Sequence, residues 1–508
     1  ISDDAYMTFR VVRNFLSHGE LVYNLGERVY SSSTPLFSLL LTIVSATSGV
    51  APDRFFLPLL CVIDVCNLVL LYLLVLRVTR LPAVAGLGAL LYGLSWVAAV
   101  STATGMEGGL FVLCIQITAL AALARDSQRN RLITGGAAGL AALARPEGAF
   151  LAASLCIVRF AYRRRLPWEE AIGTLLIMSP WWLFAYIHFG SIIPHAALAK
   201  DLGYFRLPGE AARDLIQHFF DLFVFYPVVL LPWGARIVVV PFILLSLLIG
   251  VIRSVRARPE IAFLFLFNVF YVSSYLAFNP FLFYWYKAGL EPAYILAVVS
   301  GSYWLLTSAG EKLQIPRPQF VANLVLIAAI AALITQYYDP GGSQRAFTIA
   351  EGDSTWRTGP LRPILGGRDR ERLYLRVADE LKSEVSAETT IMAPEFGALG
   401  YVLPAKMISN IGHVNPEILQ FLPVPRELLS HNNAITVPMV KFTMPDYIIT
   451  LDIFIRKTLA KDAWFNRNYK LTADYPTTIW NSTALQVFRR LDCATDTVGP
   501  NGSCDVSD

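Results

Sequence analysis

Two adjacent carboxylates, Asp3 and Asp4, stand directly ahead of an amphipathic segment that carries Phe9, Val12 and Leu16 on one face. A carboxylate in such a place can take a proton from a hydroxyl group. It can also cap the helix that follows, by accepting hydrogen bonds from free backbone amides. Because neighbouring helical residues point about 100° apart, we expect the two carboxylates to have different tasks. One can cap the helix while the other faces a cavity.

Further ionisable and aromatic side chains occur where long apolar segments meet short polar loops. They are Glu107 in GMEGG, Arg145 and Glu147 in ARPEG, His195 and Lys200 in IIPHAALAK, and Tyr284, Tyr286 and Lys287 in FYWYKAGLEP. Ionisable groups at a membrane are costly and usually line a wet cavity or pathway. A carboxylate there can deprotonate a hydroxyl, and cations can hold a departing phosphate. This chemistry suits transfer from a lipid-phosphate donor whose tail stays in the bilayer, so these side chains are candidates for substrate binding.

Each candidate also has a structural interpretation. Arg145 and Glu147 can form an ion pair at a helix break, and Lys200 and Lys287 can extend to the membrane interface. His195 is a single histidine and carries little information. The aromatic residues of FYWY fit an interfacial belt as well as a platform for a sugar ring. Carboxylates and cations gathered on one side of the membrane indicate a substrate site more specifically than any one of these residues does.

The elements that position these side chains are predicted to be membrane helices. The chain has 508 residues, of which 55% are hydrophobic and 16% are charged, and its mean hydropathy is +0.51. A soluble protein of this length needs more polar surface, which favours a polytopic α-helical membrane protein. The net charge of +4 gives no indication of nucleic-acid binding. Spans of nearly the required length are predicted at 54–76, 82–100, 106–124, 132–144, 149–160, 171–189, 236–252, 260–278, 289–307 and 319–337.

Basic residues predict the orientation of these spans. Basic loops follow every second span, for example RDSQRNR at 125–131 and RSVRAR at 253–258, and such loops are typically cytoplasmic. The loops with the candidate residues and the polar tail then face the outside of the plasma membrane. The apolar segment 35–49 has no basic end and is predicted to be an interfacial helix on the outer surface. One more span is expected before Ile1, because no apolar helix precedes Asp3.

The composition of the chain becomes that of a soluble domain from about residue 345. The segment 370–385 has apolar residues at helical spacing, and short strands are predicted in TTIMAPEF, AKMISNI, DYIITL and ALQVFRRL. These elements predict a small α/β domain. The expected organisation is a first extracytoplasmic loop with interfacial helices at 1–53, a transmembrane bundle at 54–338 and an extracytoplasmic α/β domain at 345–508.

Several motifs together resemble a known family. They are the opening run SDDAYMTFRVVRNFLSHGELVYNLGERVYSSSTPLFSLLL, then TGMEGGLF, AALARPEGAFL and HFGSIIPHAALAK in this order. They resemble GT-C fold glycosyltransferases that use polyprenyl-phosphate sugars, in particular the group containing mycobacterial terminal arabinofuranosyltransferases. The tail stretch APEFGALGYVLPAKMISNIGHVNPE resembles part of that group's extracytoplasmic domain. The resemblance implies about 10–11 transmembrane helices and transfer, with inversion, from a polyprenyl-phosphate donor to a glycan, lipid or protein acceptor.

Carried over residue by residue, Asp3 matches the first acidic residue of the opening loop, which acts as general base in this superfamily. Asp4 is then expected to cap the helix or to orient Asp3. The chain departs from the group at His195, where Asn is usual, and at Glu395 and Asn410, where Asp is common. Neither the residues nor the resemblance identifies a cofactor. Asp3, Asp4 and Glu107 are candidate ligands of a divalent cation if the fold brings them together.

Two other classes of protein share some of these features. A lipid or solute transporter also places ionisable residues in a membrane cavity, but polar residues and broken helices are then expected near the midplane, with an inverted repeat. In this chain the polar residues gather on one side. A non-catalytic membrane subunit built on a related bundle is the second alternative, and the intact Asp3–Asp4 pair argues against it.

Overall fold

The computed structural model describes residues 1–224, 233–338 and 362–491. A bundle of apolar helices is followed by an α/β unit around a five-stranded sheet. Residues 345–361 and 492–508 of the predicted C-terminal domain lie outside the described residues.

All ten segments predicted to span the membrane are helical. The bundle helices are α3 Pro52–Thr79, α4 Pro82–Gly93, α5 Trp96–Thr104, α6 Gly108–Ala122, α7 Gln128–Ala144, α8 Gly148–Arg163, α9 Trp168–Phe189, α12 Trp233–Ala257, α13 Ala262–Phe278, α14 Glu291–Lys312 and α15 Pro318–Tyr338. Helices α1 Asp3–His18 and α2 Pro35–Ser48 precede them. The outer loop predicted after α9 contains two helices that the sequence did not indicate, α10 His195–Gly203 and α11 Glu210–Val224.

The bundle contains spans of unequal length. Among the described residues, five helices are long and apolar enough to cross a membrane, or six if α4 and α5, bent by 47° at their junction, form one span. Helices α7 and α8, on either side of ARPEG, have 17 and 16 residues, fewer than the roughly 20 of a full span. The chain is therefore a multi-pass membrane protein whose helices are short at the ARPEG turn, as the sequence predicts.

The C-terminal unit is built on a mixed sheet with the strand order β2-β1-β3-β5-β4. Its elements are α16 Arg362–Leu381, β1 Thr390–Ala393, α17 Gly397–Val402, β2 Lys406–Ser409, α18 Val437–Thr443, β3 Tyr447–Leu451, α19 Ala463–Asn468, β4 Tyr469–Pro476 and β5 Ala484–Arg490. Strand β1 pairs in parallel with β2 and β3, with Met392 opposite Ile408 on one side and Ile448 on the other. Strands β3, β5 and β4 pair antiparallel. Four of these strands confirm the prediction.

Side chains alternate between the two faces of this sheet, as strand geometry requires. Ile391 and Ile449 face a core that includes Val377 of α16 and Phe9 of α1. Met392 faces the opposite core, below α18. The first core is continuous with the N-terminal part of α3, so α1 is held between the membrane bundle and the C-terminal unit.

Helix α17 fixes the C-terminal unit to α1 through both of its ends. The carboxylate of Asp3 accepts hydrogen bonds from the amides of Gly397 and Ala398, at 2.8 Å each. At the other end, the guanidinium of Arg10 donates to the carbonyls of Gly400 and Ala405, at 2.8 and 2.7 Å. An anion at the first turn and a cation at the last turn match the free donors and acceptors of a helix. This double contact places the C-terminal unit over the opening loop.

Candidate active site

A cavity with about 560 Å³ of empty space, including its open mouth, lies where the opening loop, α10 and the C-terminal unit meet. It is lined by Asp4, Met7, Thr8, Val11, Tyr23, Ser31, Ser32, Ser33, Thr34, Met106, Glu107, Ala196, Lys200, Trp285, Tyr286 and His413. Four of the predicted site residues are therefore brought together here: Asp4, Glu107, Lys200 and Tyr286.

Asp4 and Lys200 form an ion pair on the cavity wall. The distance from Lys200 Nζ to Asp4 Oδ2 is 3.2 Å, and Nζ is also 3.4 Å from the hydroxyl of Tyr286. Burial disfavours the charge on Asp4, but the nearby cationic groups, of which Lys200 acts most strongly, together outweigh it and lower the pKa of Asp4. Burial also opposes the charge on Lys200, but Asp4 and Tyr286 together raise the Lys200 pKa in spite of it. Both groups are therefore charged at neutral pH.

Asp3 does not line this cavity. Its two carboxylate oxygens face the α17 amides, and its backbone N–H donates to Glu371 Oε1 at 3.1 Å. Burial raises the pKa of Asp3 to about 6, against the opposing effects of Arg370 and the two amides. Only glycine fits at position 397, because a Cβ there would lie 2.0 Å from the carbonyl oxygen of Asp3. The geometry gives Asp3 a docking role and does not support the expectation that Asp3 is the base.

The expected capping of α1 by one of the two aspartates is wrong. The N-cap is Ser2, whose hydroxyl accepts a hydrogen bond from the amide of Ala5 at 3.2 Å. Serine is a preferred N-cap because its short side chain reaches the free amides of the first turn. The two aspartates are thus left free for contacts outside α1, and they point to different partners.

Glu107, Arg145 and Glu147 form a buried charge network at the ARPEG turn. Arg145 bonds to Glu107 and, at 2.8 Å, to Glu147. Its side chain is only 4% exposed. The hydroxyl of Tyr275 also donates to Glu147. Glu107 reaches the cavity, whereas Arg145 and Glu147 lie behind it, which agrees with a structural ion pair at a helix break.

The aromatic run after α13 forms part of the cavity wall. Tyr286 lies between the two cations, with the Arg145 guanidinium 4.5 Å and Lys200 Nζ 5.8 Å from its ring centre. Tyr284 is outside the lining and its hydroxyl donates to Thr104 at 2.7 Å. Lys287 is also outside the lining and interacts with His218 and Asp221 of α11.

His195 supports the cavity without lining it. Its amide donates to the carbonyl of Tyr30 at 2.8 Å, and its Nε2 is 2.9 Å from the carbonyl oxygen of Gly412. These bonds connect the start of α10, which carries Lys200, to the opening loop and to the segment after β2.

Two groups of cavity residues were not identified from the sequence. The first is the hydroxyl-rich run at 31–34, which the structure places on the wall beside Asp4. The second is His413, which follows β2 and is 3% exposed. Both lie inside stretches that carry the family resemblance. The motifs were therefore recognised in the sequence, but nothing in them indicated that these residues line a cavity.

A second charged cluster surrounds Asp3 on the C-terminal unit. Arg370 bonds to Glu371 and lies 3.1 Å from Glu395, and its guanidinium is 4.9 Å from the Trp480 ring centre. Burial raises the pKa of Glu395 to about 8, although Arg370 acts in the opposite direction. Arg370 is one cation among three acidic groups, Asp3, Glu371 and Glu395. Because the acidic groups repel one another when ionised, this arrangement favours the protonated form of Glu395.

The three candidate metal ligands do not form one site. The Asp3 carboxylate faces amides, Asp4 faces Lys200, and Glu107 faces Arg145. Across residues 1–224, 233–338 and 362–491, no group of three or more His, Cys, Asp or Glu side chains could hold a metal ion. This donor set does not fit a divalent cation, and no step below is assigned to one.

No family model matches this sequence. Over 222 residues, the chain is 28% identical to the terminal beta-(1->2)-arabinofuranosyltransferase of Mycobacterium tuberculosis (strain ATCC 25618 / H37Rv). The aligned part covers 40% of this chain and 35% of that protein. The chain thus matches about a third of the length of that relative.

Two solved structures share the fold over almost the whole chain. One is ArnT from Cupriavidus metallidurans bound to undecaprenyl phosphate, with a TM-score of 0.52 and 12% identity, covering 96% of this chain and 94% of that one. The other is the Archaeoglobus fulgidus oligosaccharyltransferase in complex with zinc and sulfate, with a TM-score of 0.52 and 14% identity, covering 96% of this chain and 69% of that one. At these identities the likeness concerns the fold, and it confirms the predicted GT-C fold.

Proposed function

We propose that this protein is a membrane glycosyltransferase that moves a sugar from a polyprenyl-phosphate donor to a glycan, lipid or protein acceptor outside the cytoplasm. The observation that carries the proposal is the Asp4–Lys200 pair on the cavity wall. A carboxylate that stays ionised can accept a proton, and a partly buried cation can hold a phosphate. The two groups are the minimum needed for transfer from a lipid phosphate.

Asp4 is the general base in this proposal. The acceptor hydroxyl gives its proton to the Asp4 carboxylate while its oxygen attacks the anomeric carbon of the donor sugar. The bond from that carbon to the phosphate oxygen breaks, and its electron pair leaves with the polyprenyl phosphate. Attack from the face opposite the phosphate inverts the anomeric centre.

Lys200 connects donor binding to activation of the base. For inversion, the base and the leaving phosphate must lie on opposite faces of the sugar, so Lys200 cannot hold both at 3.2 Å. We assign Lys200 to the phosphate when the donor is bound, since its flexible four-carbon stem lets the ammonium move. Loss of the Lys200 contact then raises the pKa of Asp4 and makes its carboxylate a stronger base.

The comparisons support this reaction class. The mycobacterial relative is named as an arabinofuranosyltransferase, and the ArnT structure contains undecaprenyl phosphate. An arabinofuranosyl polyprenyl phosphate is therefore the first donor to test. Arg145 is not assigned to the phosphate, because two carboxylates already occupy its guanidinium.

The test is transfer by the full chain in lipid nanodiscs. Polyprenyl phosphates carrying arabinofuranose, mannose or glucose are supplied with oligosaccharide, glycolipid and peptide acceptors, and the anomeric configuration of the product is read by NMR. We expect one donor to give a product of inverted configuration. Tight donor binding with no transfer to any acceptor class would favour a non-catalytic subunit, and movement of the intact lipid across the bilayer would favour a transporter.

The orientation of the cavity is part of the proposal. Arg129 lies in the first turn of α7, within the basic segment 125–131, and Glu388 precedes β1; both side chains are exposed. A membrane-impermeant maleimide applied to intact cells should label Glu388→Cys and should not label Arg129→Cys, with the parent chain as background. Labelling of both or of only Arg129→Cys would overturn the orientation.

A further inference from the structure

His413 is a lining residue of the cavity, and one of its ring nitrogens is buried. Its side chain is 3% exposed, and its Nε2 has no hydrogen-bond partner among the described residues. A buried polar atom without a partner is unfavourable, because it has lost its hydrogen bonds to water. The cavity beside it contains Asp4 and Lys200, the two residues of the proposed reaction. Such an atom is best explained by a ligand that completes its hydrogen bonding.

The position of His413 is fixed by tight packing against α10. The carbonyl of Gly412 is 2.9 Å from His195 Nε2. Next to it, Ile411 packs so closely on Gly203 that a Cβ at residue 203 would lie 2.5 Å from the Ile411 side chain. The same helix carries Lys200. His413, in the C-terminal unit, and Lys200, in the loop after α9, are therefore held at fixed positions relative to each other.

His413 is an uncharged group in this setting. Burial lowers its pKa to about 3, and the nearby Lys200 cation adds to this effect. A neutral imidazole offers one donor and one acceptor, which suits a hydroxyl group better than a phosphate. The hydroxyl-rich run at 31–34 adds further uncharged hydrogen-bonding groups to the same cavity. The wall thus combines a charged part, at Asp4 and Lys200, with an uncharged polar part.

We propose that His413 Nε2 hydrogen-bonds a hydroxyl group of a substrate sugar and thereby selects the sugar that enters the cavity. This inference deepens the proposed function and rests on it. The sugar hydroxyl can come from the donor or from the acceptor, and the two sources are separated by the test. In either case, a residue of the C-terminal unit contributes directly to the binding of substrate beside the membrane.

The test compares His413→Phe, which keeps an aromatic ring at this position but removes both nitrogens, with His413→Gln, whose amide can still hydrogen-bond. His431→Phe is the matched control, because His431 is in the same unit, bonds to Asn432 at 2.6 Å and stacks on Trp480 outside the cavity. Binding to the full chain in nanodiscs is measured with three probes. They are bare polyprenyl phosphate, the same lipid carrying arabinofuranose, mannose or glucose, and soluble arabinan, mannan and glucan oligosaccharides.

We expect His413→Phe to bind at least one sugar-bearing probe about 3- to 10-fold more weakly than the wild type, the loss of one hydrogen bond. Bare lipid binding should not change, and His413→Gln and His431→Phe should stay near wild type. A loss on the glycolipid assigns the hydroxyl to the donor, and a loss on the oligosaccharide assigns it to the acceptor. Equal binding of all probes by His413→Phe and wild type, or an equal loss on bare lipid, would overturn the proposal. Because binding is measured, a failure of transfer would count against the proposed function and not against His413.

Discussion

Asp4 Oδ2 lies 3.2 Å from Nζ of Lys200, a residue 196 positions further along the chain, while the adjacent Asp3 turns to the amides of Gly397 and Ala398. Two neighbouring carboxylates thus serve two different elements. One faces a cavity, and the other fixes the C-terminal unit over that cavity. We therefore expect a substitution of Asp3 to lower stability and a substitution of Asp4 to lower the rate of transfer.

Replacing Asp3 by Asn should mainly destabilise the fold. The amide group of Asn has one acceptor oxygen, so its NH₂ would face a backbone N–H donor of α17. A buried donor left without an acceptor costs about 1–3 kcal/mol. We therefore expect Asp3→Asn to lower the thermal unfolding midpoint, whereas Asp4→Asn should leave it nearly unchanged. Equal midpoints for Asp3→Asn and wild type would contradict the docking role of Asp3.

Replacing Lys200 by Gln should weaken donor binding and shift the pH profile. A charge-assisted hydrogen bond to phosphate is worth about 1.5–3 kcal/mol. In the free protein Lys200 lowers the pKa of Asp4, so its removal should raise that pKa. The acid limb of kcat/KM, which reports the free enzyme's base, should then move to higher pH. An unchanged acid limb would show that Asp4 is not the titrating base or that Lys200 does not control it.

Replacing Arg145 by Gln should strongly lower the free energy of unfolding. Its effect on substrate binding should be much smaller. The substitution leaves Glu107 and Glu147 buried without their cation, and breaking a buried pair typically costs about 3–5 kcal/mol. Arg131 is the matched control, because it also contacts two carboxylates, Asp126 and Glu169, but at a more exposed site. Arg131→Gln should cost at most about 1 kcal/mol. Similar unfolding midpoints for the two variants would contradict the structural role of Arg145.

Glu395 should make stability depend on pH. Its pKa is about 8 in the folded protein and ordinarily 4.5, so the folded state binds the proton more tightly. The free energy of unfolding should therefore fall as pH rises from about 5 to about 8 and then level off. Glu395→Gln removes this titration, and its unfolding midpoint should rise relative to wild type across that window. Parallel midpoint curves for the two proteins would contradict a protonated Glu395.

The bundle helices and four of the five strands could be predicted because their signals are local, whereas α10 and α11 were not predicted. Long apolar runs indicate the bundle helices, and alternation of apolar and polar residues indicates the strands. Strand β4 was missed because most of its residues are exposed and it contains Asp474 and Pro476, which are unfavourable in strands.

The roles of Asp3, Asp4 and His413 depend on contacts that no local signal records. Sequence spacing predicts that the two aspartates point about 100° apart, but not which of them meets the cavity. That choice is made by α17, which reaches Asp3 from 394 residues away. His413 lies in a polar run without periodicity, and its burial follows from the packing of the segment after β2 on α10. The sequence motifs could therefore indicate where the site lies. They could not indicate which residue fixes the C-terminal unit, which acts as the base and which binds the sugar.

The most direct test of the account is the rate of sugar transfer by Asp4→Asn, measured beside Asp3→Asn and wild type with the same donor and acceptor. Asn keeps the shape of Asp4 but cannot accept the proton, and a lost base typically lowers the rate by a factor of roughly 10² to 10⁴. We expect Asp4→Asn to fold and to bind donor like the wild type while its transfer rate falls by this factor. Near-normal turnover by Asp4→Asn, or a loss confined to correctly folded Asp3→Asn, would contradict the assignment of Asp4 as the base.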